Sequence, residues 1–309
     1  MRGLGYERSV PKSLALRAAL CAGLALTACD SKPLEAPSPE PGAAGQGGAG
    51  EPAAMSVKQQ VLDDAHISSD LAAADFQRAL GEVDFGDEPV ERAALVVELR
   101  SPCFPFSNWK KLGVPAGQRW PAECDAFDRT VQVTLDEPES VDDGGTALEL
   151  IRAITPFGGP EHLEADVTDL VNGLPGKHRL AVHIDTFSDA AGLVSGSAGE
   201  WYASATLETW PGAAPRRVLA IVPVVFETQT EPEAAPVSFE VPSGVGRARL
   251  EYRATGHGGV QVFTASCRGP AEEFCRRSHE LSLDGEPLAE LTPWRDDCAE
   301  LCTVTANED

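Results

Sequence analysis

From Ala93 onward the chain alternates apolar and polar positions in short runs broken by Gly, Pro, Asp and Asn. The runs Ala93–Leu99 (AALVVEL), Thr130–Leu135 (TVQVTL), Ala147–Ile154, Arg179–Thr186 (RLAVHIDT), Trp201–Glu208 and Val218–Phe226 read as strands, because a period of two places every second side chain on one buried face. A second set follows Pro236: Val237–Val241, Ala248–Ala254, Val260–Thr264 and His279–Leu291, the last folding back at Asp284-Gly285 as a hairpin. The stretch TQTEPEAAP, Thr228 to Pro236, divides the two sets as a linker. Such a series of short strands with little helix predicts antiparallel β-sandwiches or jelly rolls. Val57–Leu80 reads differently, with helix formers and apolar residues at loose three-to-four spacing, and predicts a helix or two helical turns within a helical or irregular segment 57–85.

The N-terminal residues have the pattern of an export signal. Arg2, Arg8, Lys12 and Arg17 precede a short apolar run that ends in Leu26-Thr27-Ala28-Cys29, which resembles a bacterial lipobox. Residues 1–28 are therefore expected to be a lipoprotein signal peptide, with Cys29 the lipidated residue and the bacterial cell envelope, at the periplasmic or outer-membrane face, the destination. Residues 29–56 are rich in Pro, Gly, Ala and Glu, have no apolar periodicity, and predict a disordered tether between lipid and globule.

Two further properties narrow the function. The net charge of −23 argues against nucleic acid or an anionic lipid surface as a partner. Setting aside Cys21 and Cys29, six cysteines remain: Cys103, Cys124, Cys267, Cys275, Cys298 and Cys302. An even number in an oxidising compartment favours disulfides over zinc, and no CxxC pair or histidine at ligand spacing opposes that reading. Six cysteines allow 15 pairings; the spacings favour Cys103–Cys124, Cys267–Cys275 and Cys298–Cys302.

The candidate chemistry lies in two motifs. Upstream is CDAFDRT, from Cys124 to Thr130; downstream, a Gly256-His257-Gly258-Gly259 turn leads to the loop Cys267–Cys275, which holds Glu272 and Glu273, and then to Ser278-His279. Between them stand ITPF (Ile154 to Phe157), LEADVTD (Leu163 to Asp169), LAVHIDTF (Leu180 to Phe187) and VPVV (Val222 to Val225). In this order the landmarks resemble the peptide:N-glycosidase F family, from about Ala93 to Cys298. The resemblance implies two adjacent jelly-roll β-sandwiches, an all-β fold, with domains at 86–230 and 231–309 and an active site between them. It implies Asp128, Glu273 and Asp185 as catalytic acids, and Phe187, Phe274, Arg129 and His279 as substrate-binding residues. The substrate would be an N-glycosylated peptide or glycoprotein, cleaved between asparagine and N-acetylglucosamine without a cofactor. Hydrolysis of that amide needs an activated water and a proton for the leaving glycosylamine, work suited to two carboxylates held at different pKa values.

Several positions depart from the family pattern. Asp185 stands where the family has Glu, Phe187 and Phe274 where it has Trp, and Thr130 where it has Tyr. The second domain is expected to be incomplete, with only four or five strand candidates against about eight in a jelly roll. The family's first-motif cysteine also pairs far downstream, which leaves Cys298–Cys302 the least supported bridge. A catalytically decayed glycan- or protein-binding lipoprotein of the same fold is therefore the alternative reading. The related copper monooxygenases need His clusters, whereas His66, His162, His178, His183, His257 and His279 include no HH or HxH pair.

Overall fold

A computed structural model describes residues 12–20, 55–104, 109–117, 121–125, 127–137, 147–156, 159–186, 198–225, 236–255, 277–292 and 294. Two compact units emerge, one containing the described residues from 55 to Ile221, the other containing residues 12–20 and those from Val222 to 294.

In the first unit, β2 (Val57–Ser68), β3 (Arg78–Asp84), β4 (Val90–Arg100), β5 (Thr130–Leu135), β6 (Leu148–Ile154), β7 (Glu161–Asp166), β8 (Lys177–Ile184) and β9 (Glu200–Pro211) form two antiparallel four-stranded sheets. Their orders are β2-β9-β4-β7 and β3-β8-β5-β6. Successive strands thus change sheet at each step until β5 and β6, which is the connectivity of a jelly roll. The alternation seen in the sequence becomes burial: on β9, Trp201, Ala203, Ala205 and Leu207 point inward while Tyr202, Ser204, Thr206 and Glu208 do not. Ile67, Leu95, Val97, Leu99 and Trp201 from one sheet meet Val131, Val133, Leu180, Val182 and Ile184 from the other in a single core. Among the described residues two short helices accompany these strands: α1 (Trp109–Leu112) and α2 (Thr168–Gly173).

The helix expected over Val57–Leu80 is corrected to strand. Leu62 and Ile67 both point into the core although five residues apart, an odd interval that a regular strand cannot accommodate. Register shifts between Gln60 and Leu62 and between Leu62 and Ala65 make it possible, and Asp64 takes a positive φ of 49° there. Those bulges hide the period of two, so the run looks helical in sequence. The segment 57–85 is accordingly part of the sandwich, supplying β2 and β3.

Two other expected strands are absent. The described part of Val218–Phe226, residues 218–225, has no strand; Pro215 and Pro223 interrupt backbone donors, and Val218 and Ile221 instead pack on Gly173, where an added Cβ would lie 2.7 and 2.9 Å from their side chains. Ala248–Ala254 also forms no strand, since no ladder partner lies beside it among the described residues. The edge strand β7 and helix α2 had no clear pattern in the sequence.

The second unit contains one four-stranded sheet, ordered β10-β1-β11-β12, from β1 (Lys12–Leu20), β10 (Val237–Phe239), β11 (Arg277–Leu283) and β12 (Glu286–Leu291). The hairpin turns at Asp284 and Gly285 as expected, with φ of 54° and 84°, the positive angles a two-residue turn of this kind demands. β10 ends short of Val241 as Pro242 approaches. β1 lies between β10 and β11, whereas the sequence reading placed residues 1–28 outside the fold. A short apolar run can serve either as a signal core or as a strand. Val260–Thr264 lies outside the described residues.

Gly81 on β3 lies close against β2 of the other sheet: a Cβ there would lie 2.6 Å from the Val61 carbonyl oxygen. Gly81→Ala is expected to cost about 1–3 kcal/mol through overpacking, whereas Leu80→Ala, at a side chain 47% exposed, should stay within about 0.5 kcal/mol. Urea denaturation of the two variants checks this, and equal effects would contradict the packing described.

Candidate functional site

The jelly-roll topology brings the β2–β3, β4–β5, β6–β7 and β8–β9 connections to one end, and hydrogen bonds involving both backbone and side chains tie described residues of them together there. Thr186 Oγ1 donates to the Ser68 carbonyl at 3.1 Å and Gln77 Nε2 to the Thr186 carbonyl at 2.7 Å. Arg129 and Thr155 exchange two bonds: the Arg129 N–H donates to Thr155 Oγ1 and the Thr155 N–H to the Arg129 carbonyl, each at 2.8 Å. The N–H groups of Ala198 and Glu200 donate to the carbonyls of Ala122 and Glu123 at 2.9 and 3.2 Å. The expected disulfide Cys103–Cys124 is present and joins the end of β4 to this loop.

At the centre is Asp125, whose side chain is 1% exposed. Arg129 clamps it through Nε to Oδ2 at 2.9 Å and Nη2 to Oδ1 at 2.9 Å, and the Trp201 indole N–H donates to Oδ2 at 3.1 Å. Gly199 is needed beside it, because a Cβ there would lie 2.9 Å from that of Asp125. A buried carboxylate is tolerable only when its charge is met by such donors. The contact closes the turn 125–129 and thereby fixes Asp128, half-buried, at the entry to β5.

Asp185 lies beside that turn. Its N–H donates to the Thr130 carbonyl at 3.2 Å, extending the β5–β8 pairing by one step, so Asp128 and Asp185 stand at the same end of neighbouring strands. The Asp185 side chain is 58% exposed and pairs with His183 Nε2 at 2.9 Å. Arg129, expected to face a substrate, turns inward onto Asp125, with its guanidinium 5.0 Å from the Phe127 ring. His279 lies in the other unit, on β11, where the Tyr252 hydroxyl hydrogen-bonds its Nδ1 at 2.5 Å. Glu273, Phe274, Phe187, Cys29, Cys267, Cys275, Cys298 and Cys302 lie outside the described residues.

Sequence reasoning passed over Asp125 and Trp201. The signal for Asp125 was an acid four residues before an Arg in the motif itself; for Trp201, whose indole partner is 76 residues away, there was none. It also passed over a polar chain beside the site. Asp75 holds His66 Nδ1 at 2.6 Å, His66 Nε2 lies 3.7 Å from Glu200, and the Tyr202 hydroxyl donates to Glu200 at 3.2 Å. Arg100 covers the Tyr202 ring at 3.9 Å and clamps Asp64. Hydrogen bonding from Arg100 holds the Asp64 carboxyl below its usual range, while burial, reinforced by Glu200, raises the Tyr202 phenol. Among the described residues no group of three His, Cys, Asp or Glu side chains is arranged to hold a metal ion.

Residues 226–309 match the family model described as Peptide-N-glycosidase F, C terminal. The C-terminal segment is peptide-N-glycosidase F-like. It contains Glu273, Phe274, His279 and the four downstream cysteines. Among solved structures, PNGase F, described as a glycosylasparaginase from Flavobacterium meningosepticum, is 20% identical over 55% of this chain and 47% of its own, with a TM-score of 0.39. A recombinant peptide:N-glycanase F is likewise 20% identical, over 55% of this chain and 46% of its own, with a TM-score of 0.38. A peptide-N(4)-(N-acetyl-β-D-glucosaminyl) asparagine amidase is 17% identical over 76% of this chain and 71% of its own, with a TM-score of 0.46. The chain thus spans about half the length of the first two. No curated protein matches the sequence.

Asp125→Ala would leave the Arg129 guanidinium and the Trp201 N–H without their buried partner and is expected to cost about 3–5 kcal/mol. Replacing Cys103 and Cys124 together by Ser should cost about 2–4 kcal/mol. Guanidinium unfolding curves check both, and a loss below about 1 kcal/mol for Asp125→Ala would refute its anchoring role.

Proposed function

We propose that this protein is an amidase of the peptide:N-glycosidase F type, cleaving the bond between asparagine and N-acetylglucosamine of N-glycosylated peptides or glycoproteins. The observation that carries the reading is the pair Asp128 and Asp185, set at the same end of neighbouring strands beside the clamped Asp125–Arg129 turn. The family match of the segment that contains Glu273 supports it. In this mechanism Asp128 accepts a proton from water as its oxygen attacks the side-chain amide carbon. Glu273 supplies a proton to the departing glycosylamine nitrogen as the C–N bond breaks. The products are an aspartate in the peptide and a 1-amino glycan. Asp185 orients the water or the amide, and Phe187 and Phe274 offer aromatic faces to the sugar.

A second reading has its own support. The Asp185 side chain is exposed and paired with His183, and Arg129 is committed to Asp125, which leaves fewer groups free for chemistry. A glycan-binding protein on the same fold would suit those facts. The purified protein is expected to release intact glycans from a denatured N-glycoprotein, converting asparagine to aspartate. Asp128→Asn should lower the rate by about 10²–10⁴-fold and Glu273→Gln comparably. Chitobiose–asparagine peptide binding without release would favour the second reading, and release undiminished in Asp128→Asn would reject the mechanism.

The protein is further proposed to be lipid-anchored in a bacterial cell envelope. Cys29 closes the lipobox-like stretch and precedes the Pro/Gly/Ala-rich tether, and one or two acyl chains there would hold the globule at a membrane face. Mass spectrometry of the mature N-terminus should find diacylglyceryl on Cys29, and globomycin should accumulate the precursor. An unmodified N-terminus elsewhere would overturn the assignment.

A further inference from the structure

The sandwich has a second end, and it contains a cavity that the proposed amidase does not use. β8 runs from Lys177 at this end to Ile184 beside Asp185, so about 25 Å separates the two ends at the rise of an antiparallel strand. The β3–β4 turn, α2 with the residues after it, and the segment 214–218 line an open cleft of about 360 Å³, within the range of small-molecule sites, with Asp87, Glu88 and Arg217 exposed at its rim.

The walls are fixed before any ligand arrives. The Phe85 N–H donates to the Gly176 carbonyl at 2.8 Å and the Gly176 N–H to the Gly86 carbonyl at 3.0 Å. Asn172 bonds both the N–H and the carbonyl of Val90, at 3.0 and 2.9 Å. Gly173 lets Val218 seat against α2. Val171 and Val218 give the cavity an apolar lining.

Charge decides what would fit. Asp87 and Glu88 line the cavity on the β3–β4 turn, and Arg216 and Arg217 line it on the segment after β9. Arg216 is occupied, its Nε 2.8 Å from Asp169. Asp87, Glu88 and Arg217 form no ion pair or hydrogen bond among the described residues, so acids and guanidinium face the same space without closing on each other.

We propose that this cavity binds a small zwitterion of the free amino acid or dipeptide class. The ammonium group sits at Asp87 and Glu88, the carboxylate at Arg217, where a guanidinium can grip both oxygens, and a small aliphatic side chain lies against Val171 and Val218. The site is independent of Asp128 and of any glycosidase activity.

Isothermal titration of the whole protein with alanylvaline tests the proposal. The free dipeptide is expected to bind, and N-acetylation, C-terminal amidation or Arg217→Ala is expected to weaken it at least about tenfold, as loss of one charged hydrogen-bonded contact implies. The double substitution Asp87→Asn, Glu88→Gln should weaken the uncapped peptide without altering the melting temperature. No binding at millimolar dipeptide, equal binding of the capped forms, or unchanged affinity in Arg217→Ala would each overturn it, whereas Asp128→Asn should leave binding unchanged.

Discussion

The end of the sandwich that carries Asp128 depends on one buried carboxylate. Withdrawing Asp125 from water costs several kcal/mol unless the charge is compensated, and here Arg129 and the Trp201 indole together supply the compensation. Each partner comes from a different part of the chain. Arg129 closes the turn that opens β5, and Trp201 opens β9 in the opposite sheet. A single charge therefore joins both sheets at the rim, while the Cys103–Cys124 bridge brings in β4. Loops are ordinarily the mobile parts of a fold; here described loop residues such as Ala122, Glu123, Thr155 and Thr186 are tied across by hydrogen bonds, which favours close placement of a carboxylate.

Around that anchor the jelly-roll order sorts the connections. Because β2 to β9 change sheet at every step but β5 to β6, and run antiparallel within each sheet, one end collects Ser68, Gln77, Asp128, Thr155, Asp185 and Glu200, and the other collects the β3–β4 turn, α2 and the segment after β9. The first end is rich in exchanged backbone bonds and in charge chains such as Asp75–His66–Glu200–Tyr202. The second is open, and there Arg216 is paired with Asp169 while Asp87, Glu88 and Arg217 line the cleft without pairing with one another. The topology thus separates two chemically different surfaces on one small domain.

What the sequence determined by itself was the part governed by local periodicity and covalent reach. The runs at Thr130–Leu135 and Trp201–Glu208 declare their strands because every second side chain is apolar, and Asp284-Gly285 declares its turn because only a few residue types accept a positive φ. Cys103 and Cys124 were legible as a pair through their spacing, and Asp128 through the motif around it. Tertiary structure decided the rest, for reasons that are not local. Val57–Ser68 became a bulged strand because pairing with β9 outweighed its helix formers. Val218–Val225 stayed out of the sheets because it packs on Gly173, which no pattern within the run announces. The bond of Arg129 to Asp125 appears only once the fold buries that acid beside it, and Trp201 gained its role from a partner far away in sequence. A sequence pattern records which face of an element is apolar; which polar groups meet across that face is set only when the desolvation of each must be repaid in three dimensions.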